Sequence, residues 1–364
     1  MQVKDVIAAI ERFAPPALKA DYDNVGLLAG SSDDEVKGVL ITLDVTEEVV
    51  EEAMANDCNL IVAHHPLIFK GLKNITDKTE AGRILIKSIR NGISIFAGHT
   101  NVDSVMEGVS GKMADKLGLV NRSILYPVKN RLLKLAVFVP VDHADKVRDA
   151  IFTAGAGVIG NYDSCSYNVS GEGTFRAGEN TNPFTGEKGK LHFEKEIRVE
   201  TVLPDFLKNR VVSAMLQAHP YEEVAYDLYR LENEWPVTGY GIVGELKEPM
   251  DEKEFLTLVK SEFNAGCVRH TALLNKQVKK IALCGGSGSE LLPQAKAAGA
   301  DVFITADFKY HQFFDAENDI LIADIGHFES EQFTKELFFE ILTKNFSNFA
   351  VRLSNVNTNP IKYF

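Results

Sequence analysis

The sequence predicts a split α/β domain, made of two related βα lobes, with a ferredoxin-like α+β domain inserted between them. Three observations predict it. Short apolar runs alternate with amphipathic segments near both ends of the chain, the pattern of a parallel sheet covered on both faces. In the middle of the chain the texture changes to β-α-β-β-α-β, the order of a ferredoxin-like unit. After Trp235-Pro236 the first texture returns. The expected parts are a first lobe over 1–128, an insert over 129–234 and a second lobe over 235–364, the lobes reading as a diverged duplication.

In chain order, Val3, Val6, Ile7, Ile10 and Phe13 recur at helical spacing until Pro15-Pro16 stops the helix. Residues 36–43 read as a strand followed by a helix that Thr46 can cap, with Glu47 and Glu48 at its positive end. Residues 60–63 and 93–97 repeat the unit, with helices over 80–91 and 109–117. In the insert, 133–139, 193–202 and 225–231 read as strands, and 144–154 and 205–218 as helices. The intervening Gly-, Ser- and Asn-rich stretch over 155–189 is too poor in apolar residues for a helix. Strands return at 280–284, 302–305 and 320–323.

The composition sets limits on function. The chain has 364 residues, is 45% hydrophobic and carries 39 basic against 51 acidic residues, a net charge of −12. That balance argues against a nucleic-acid partner held by surface charge. No apolar run approaches the roughly 20 residues of a membrane span. Residues 1–5 lack the start of a signal peptide. Cys58, Cys165, Cys267 and Cys284 lie far apart, with no CxxC. A reduced, cytoplasmic protein is expected.

The predicted strand ends, where ligands gather in open α/β sheets, are unusually polar. They read Asp44, then Ala63-His64-His65-Pro66, then His99-Thr100-Asn101-Val102-Asp103, and finally His327-Phe328-Glu329-Ser330-Glu331. Imidazole and carboxylate together suit zinc, iron or manganese. His327 and Glu331 are four apart and share a helix face. His64 and His65 are adjacent and suit two neighbouring metals better than one. Glu331 could bridge them. His64, His65, Asp103, His327 and Glu331 make five ligands, too few to close two tetrahedral sites, so water or substrate would complete a reactive centre of two divalent ions.

Other residues stay open between alternative tasks. His99 is a ligand, a proton carrier or the orienting partner of a ligand. Asp44 caps the following helix or hydrogen-bonds water at the metals. Asp307, Lys309 and His311 bind an anionic substrate or form a solvated helix start. Gly285-Gly286-Ser287-Gly288 cradles an anion or makes a tight turn. Asp21-Tyr22-Asp23-Asn24 closes over the cleft or is a plain turn.

Five segments carry a resemblance: Asp23-Asn24-Val25-Gly26-Leu27, Ala63-His64-His65-Pro66, Asn101-Val102-Asp103, Thr305-Ala306-Asp307-Phe308-Lys309-Tyr310-His311 and Gly326-His327-Phe328-Glu329-Ser330-Glu331. On these the chain resembles the GTP cyclohydrolase type 2 homolog family, also called the Nif-three-like family. It departs at Tyr22, where Trp is frequent, and at Ala306, where Gly is usual. The resemblance implies a two-metal site on His64, His65, Asp103, His327 and Glu331. It implies a CutA- and PII-like insert, carried by Gly171–Arg176, by Asn182-Pro183-Phe184-Thr185-Gly186 and by His219-Pro220-Tyr221-Glu222-Glu223. It also implies a toroidal homohexamer, a dimer of trimers. Two functions follow. One is a metal-dependent hydrolase that opens the guanine imidazole ring of GTP, or acts on a related nucleotide or phosphorylated metabolite, with Asp44 or His99 moving protons. The other is a non-enzymatic metal-binding, metal-delivery or regulatory scaffold.

Overall fold

The computed structural model describes all 364 residues. They form two compact units, Met1–Pro127 with Pro236–Phe364, and Val128–Trp235. No helix is long and apolar enough to cross a membrane.

The larger unit holds two sheets. The first has five strands in the order Gly26–Ala29, Ser94–Ala97, Leu60–Ala63, Val39–Thr42 and Val351–Leu353. All but the first run parallel to their neighbours. Its three central strands are buried throughout, as expected when helices cover both faces. The flanking helices start where the sequence supplies caps: Thr46 Oγ1 accepts from Val49 N at 3.3 Å, and Thr79 Oγ1 from Gly82 N at 3.1 Å. The second sheet has six strands in the order Arg269–His270, Leu321–Asp324, Val302–Ala306, Gln277–Ser287, Trp235–Asp251 and Val120–Val128. Its parallel core is Gln277–Ser287, Val302–Ala306 and Leu321–Asp324.

The two lobes exchange strands, which the sequence pattern does not announce. Val120–Val128 leaves the first lobe to join the second sheet, and Val351–Leu353 returns to pair with Val39–Thr42. Each exchange covers a strand edge that would otherwise be open.

Register fixes the cleft. Thr42, Ala63 and Ala97 are cross-strand neighbours. The segments that follow them, with Asp44, His64-His65 and His99, therefore leave one edge of the first sheet side by side. Ser287 pairs with Ala306, and Thr305 with Asp324. This sets Asp307 and the helix His327–Glu331 at the matching edge of the second sheet.

The smaller unit is one antiparallel sheet in the order Tyr167–Arg176, Leu191–Pro204, Leu132–Pro140 and Tyr226–Leu231. Helices Ala144–Thr153 and Lys208–Ala218 close its core through Val147, Ile151, Val211 and Met215. This is the ferredoxin-like arrangement expected. The strand Tyr167–Arg176 lies in the Gly-, Ser- and Asn-rich stretch. It is an edge strand exposed at nearly every position, and Gly171 and Gly173 break the apolar side of its alternation, leaving only Tyr167, Val169 and Phe175 to mark it.

Candidate metal centre

Four imidazoles and two carboxylates meet between the sheet edges of the larger unit. His64 and His65 directly follow the strand Leu60–Ala63. His99 precedes the short helix Thr100–Asp103, which carries Asp103. His327 and Glu331 are the two ends of one helical turn. Gly326 enters that turn at φ +96°, where a side chain would be strained.

Each imidazole is oriented through Nδ1. His64 Nδ1 donates to Gly98 O at 2.9 Å, and His65 Nδ1 to Asp44 Oδ1 at 2.7 Å. His99 Nδ1 donates to Asp23 Oδ1 at 2.9 Å, and His327 Nδ1 to Asp307 Oδ2 at 2.7 Å. A carbonyl or an ionised carboxylate can only accept, so in each neutral ring Nδ1 holds the proton. The Nε2 lone pairs are therefore free to bind a metal, the arrangement by which proteins orient ligating histidines.

The distances divide the donors into two sets that share Glu331. His64 Nε2 lies 3.6 Å from Asp103 Oδ1 and 3.7 Å from Glu331 Oε1. His65 Nε2 and His327 Nε2 lie 2.9 and 3.1 Å from Glu331 Oε2 and 3.4 Å from each other. Donors held about 2.0–2.2 Å from a tetrahedral ion stand roughly 3.4 Å apart, so both sets have the spacing of a metal site. His64 Nε2 and Asp103 Oδ1 are buried and receive no hydrogen bond. A buried lone pair left unmet costs about 1–3 kcal/mol, which a cation would relieve. Gly286, at φ +62°, gives the carboxylate room: a Cβ there would lie 2.2 Å from Glu331 Oε1.

The field of the site calls for positive charge. Burial alone would lower the pKa of His65, but Asp44 and Glu331 outweigh it and raise it to about 10. Asp307 and Glu331 likewise overcome burial at His327 and raise it to about 11. Burial pushes Glu331 up, yet His64, His327 and His65 hold it well below its ordinary value. Asp103 is raised by burial, against the pull of His64. Hydrogen bonds from His65 and Thr358 keep Asp44 below its ordinary value although burial opposes them.

The structure brings His64, His65, His99, Asp103, His327 and Glu331 into overlapping donor groups within 4.8 Å. Asp44 touches His65, and Asp307 touches His327, each as the acceptor of Nδ1–H. Thr46, not Asp44, caps the helix Glu47–Ala55. Lys309 and His311 lie on the exposed turn around Tyr310–Ala316 and form no hydrogen bond or ion pair with the cluster. The glycine turn is no anion cradle: Gly285, Gly286 and Gly288 N–H donate to the hydroxyls of Ser110, Ser330 and Thr305. Asp23, from the Asp21–Asn24 turn, is the buried partner of His99 and Thr100. Thr358 and Asn359, at Asp44 and Glu329, carry no sequence signal at all.

Three comparisons bear on this site. The family model described as Duf34/NIF3 (NGG1p interacting factor 3) matches residues 1–360. A Halalkalibacterium halodurans protein named GTP cyclohydrolase 1 type 2 homolog is 42% identical over 363 residues, 98% of each chain. A Bacillus subtilis protein of the same name is 38% identical over 366 residues, 99% of this chain and 98% of that one. Among solved structures, a Bacillus cereus protein related to NIF3 superposes with TM-score 0.86 at 39% identity, covering 100% of this chain and 99% of its own.

Proposed function

The chain belongs to the Duf34/NIF3 family, and we propose that it holds two divalent metal ions and hydrolyses a nucleotide or related phosphorylated metabolite. One observation carries this reading: the two oxygens of Glu331 face two separate donor sets, His64 with Asp103 and His65 with His327. Three protein donors per ion leave positions open, as in reactive rather than structural sites. The donors are all nitrogen or oxygen, which suits zinc, iron or manganese. Bound there, such ions would supply Lewis-acid polarisation of a substrate oxygen and ease the deprotonation of water.

The chain's own residues divide the remaining work. Glu331 joins the two sets, while Gly98, Asp44 and Asp307 fix the ring orientations. His99 keeps its Nδ1 on Asp23 with its ring beside those of His64 and His65, where it can take up and return a proton. On the exposed turn, Lys309 offers a cationic group and His311 a hydrogen-bond donor to an anionic substrate. The name shared by the relatives makes GTP, opened at its imidazole ring with loss of formate, the first substrate to test. The expected assembly is a homohexamer.

A second reading, a metal-binding regulator, rests on a separate feature. The smaller unit has a cavity of ≈ 450 Å³ lined by Phe138, Phe175, Phe184, Tyr221 and Glu196, a size and lining that suit a small organic ligand. The test is turnover. Wild type loaded with zinc, iron or manganese is incubated with GTP and a panel of phosphorylated metabolites, with Glu331→Ala as control. Release of formate or phosphate by wild type alone supports the hydrolase. Two bound metals with no turnover under any loading replace it with the regulator.

A further inference from the structure

We propose that the C-terminal segment, residues 354–364, completes the His65–His327 half of the centre and so decides whether the second of two metal positions is filled. The inference rests on the two-metal reading above.

The segment follows the strand Val351–Leu353 and has no regular secondary structure. It is anchored first on the side of the first sheet: Ser354 N donates to Ile41 O at 2.8 Å, and Asn355 N to Glu52 Oε1 at 2.9 Å. Thr358 Oγ1 then donates to Asp44 Oδ2 at 2.6 Å, while Asp44 Oδ1 takes the Nδ1–H of His65. One carboxylate thus links the tail to a ligand ring. Without the hydroxyl, Asp44 is held on one oxygen only and is free to turn.

The next residue reaches the other lobe. Asn359 Nδ2 donates to Glu329 Oε1 at 3.0 Å. Glu329 is buried and sits midway along the turn whose ends are His327 and Glu331. A Cβ on Gly326 would lie 2.3 Å from Glu329 Oε2 and 3.1 Å from the Tyr363 hydroxyl, so both groups lie against the start of that turn. Tyr363 also packs against Gly266, where a Cβ would meet its ring at 2.3 Å.

Apart from the shared Glu331, whose turn also carries Glu329, none of these contacts reaches the other donor set. His64 is oriented by Gly98, and His99 by Asp23. The helix bearing Asp103 is tied through Asn101 to Ala14 O and through Ser104 to Leu18 O. All of these lie within residues 14–104. Glu331 has an anchor independent of the tail, since its neighbour Ser330 accepts from Gly286 N at 2.8 Å. Loosening the tail should therefore spare the His64–Asp103 position and weaken the His65–His327 position.

The test uses the full chain and cobalt(II) as probe. Metal content is read by elemental analysis after dialysis, and the affinities by titration of the cobalt visible bands. Wild type and Thr358→Ser, which keeps the hydroxyl, should bind two ions. Thr358→Val with Asn359→Ala should keep one ion at wild-type affinity and bind the second about 10-fold more weakly, the lower end of the effect of losing a ligand's own partner, because the two residues act through Asp44 and Glu329. Two ions at wild-type affinity in the double variant, or equal loss of both, would overturn the inference. So would a Thr358→Ser chain no better than Thr358→Val. Wild type binding fewer than two ions overturns the two-metal reading, and this inference with it.

Discussion

Asp307 and Lys309 stand two residues apart, and the geometry predicts that they respond to mutation in different ways. Asp307 Oδ2 takes the Nδ1–H of His327 at 2.7 Å, and that bond holds Asp307 below its ordinary pKa against the effect of burial. Asp307 also adopts φ +59°, a left-handed conformation that Asn and Gly tolerate and Ala does not. Asp307→Gly therefore removes the carboxylate without adding strain, while Asp307→Asn keeps a neutral acceptor. Losing an orienting carboxylate lowers metal affinity about 10- to 100-fold, or about 1.4–2.8 kcal/mol. The expected order of affinity is wild type, then Asp307→Asn, then Asp307→Gly, with the loss confined to one of two ions. Lys309→Ala, which breaks no contact with the cluster, should bind metal like wild type. Competition against a chromophoric chelator measures all four proteins. Wild-type affinity for both ions in Asp307→Gly would refute the claim that this bond tunes His327.

Two further outcomes are expected. The first concerns pH. In the metal-free protein His65 and His327 are raised from 6.5 to about 10 and about 11 by their carboxylate partners. The stability this contributes is complete below the unfolded value and is lost as pH rises through the folded ones. Metal-free protein should thus melt at progressively lower temperature between pH 7 and 11, whereas the metal-loaded form should weaken on acidification, as protons compete for Nε2. Melting curves with the same pH trend in both forms would contradict the ligand assignment. The second concerns assembly: light scattering should report a hexamer, and deleting about residues 132–232 should lower that state without removing metal. A monomeric full-length chain would end the hexamer proposal.

Much of the fold is legible in the sequence because burial on both faces leaves unbroken apolar runs. Leu60–Ala63 is read at its full extent, and the helix Glu80–Arg90 to within a residue. What escapes is structure whose apolar pattern is thin or whose partner is set only by the assembled fold. The exposed strand Tyr167–Arg176 is one case. The strand exchange is another, because any short β-branched run can pair with either sheet and only the assembled edges decide which.

The site divides along the same line. Polar residues at strand ends can be read as ligand types, but which nitrogen of a histidine carries its proton depends on partners met only in the folded chain. Asp44 is 21 residues from His65, Gly98 is 34 from His64, Asp23 is 76 from His99, and Thr358 is 314 from Asp44. The same holds for glycine. A run of four small residues after a strand suggests a cradle for an anion, yet its N–H groups are taken by hydroxyls. What Gly286 supplies is the space that Glu331 occupies. In both cases residue type marks where chemistry gathers. The direction of lone pairs and protons there is set by long-range contacts, and it is this direction that turns a cluster of histidines into a place for a metal.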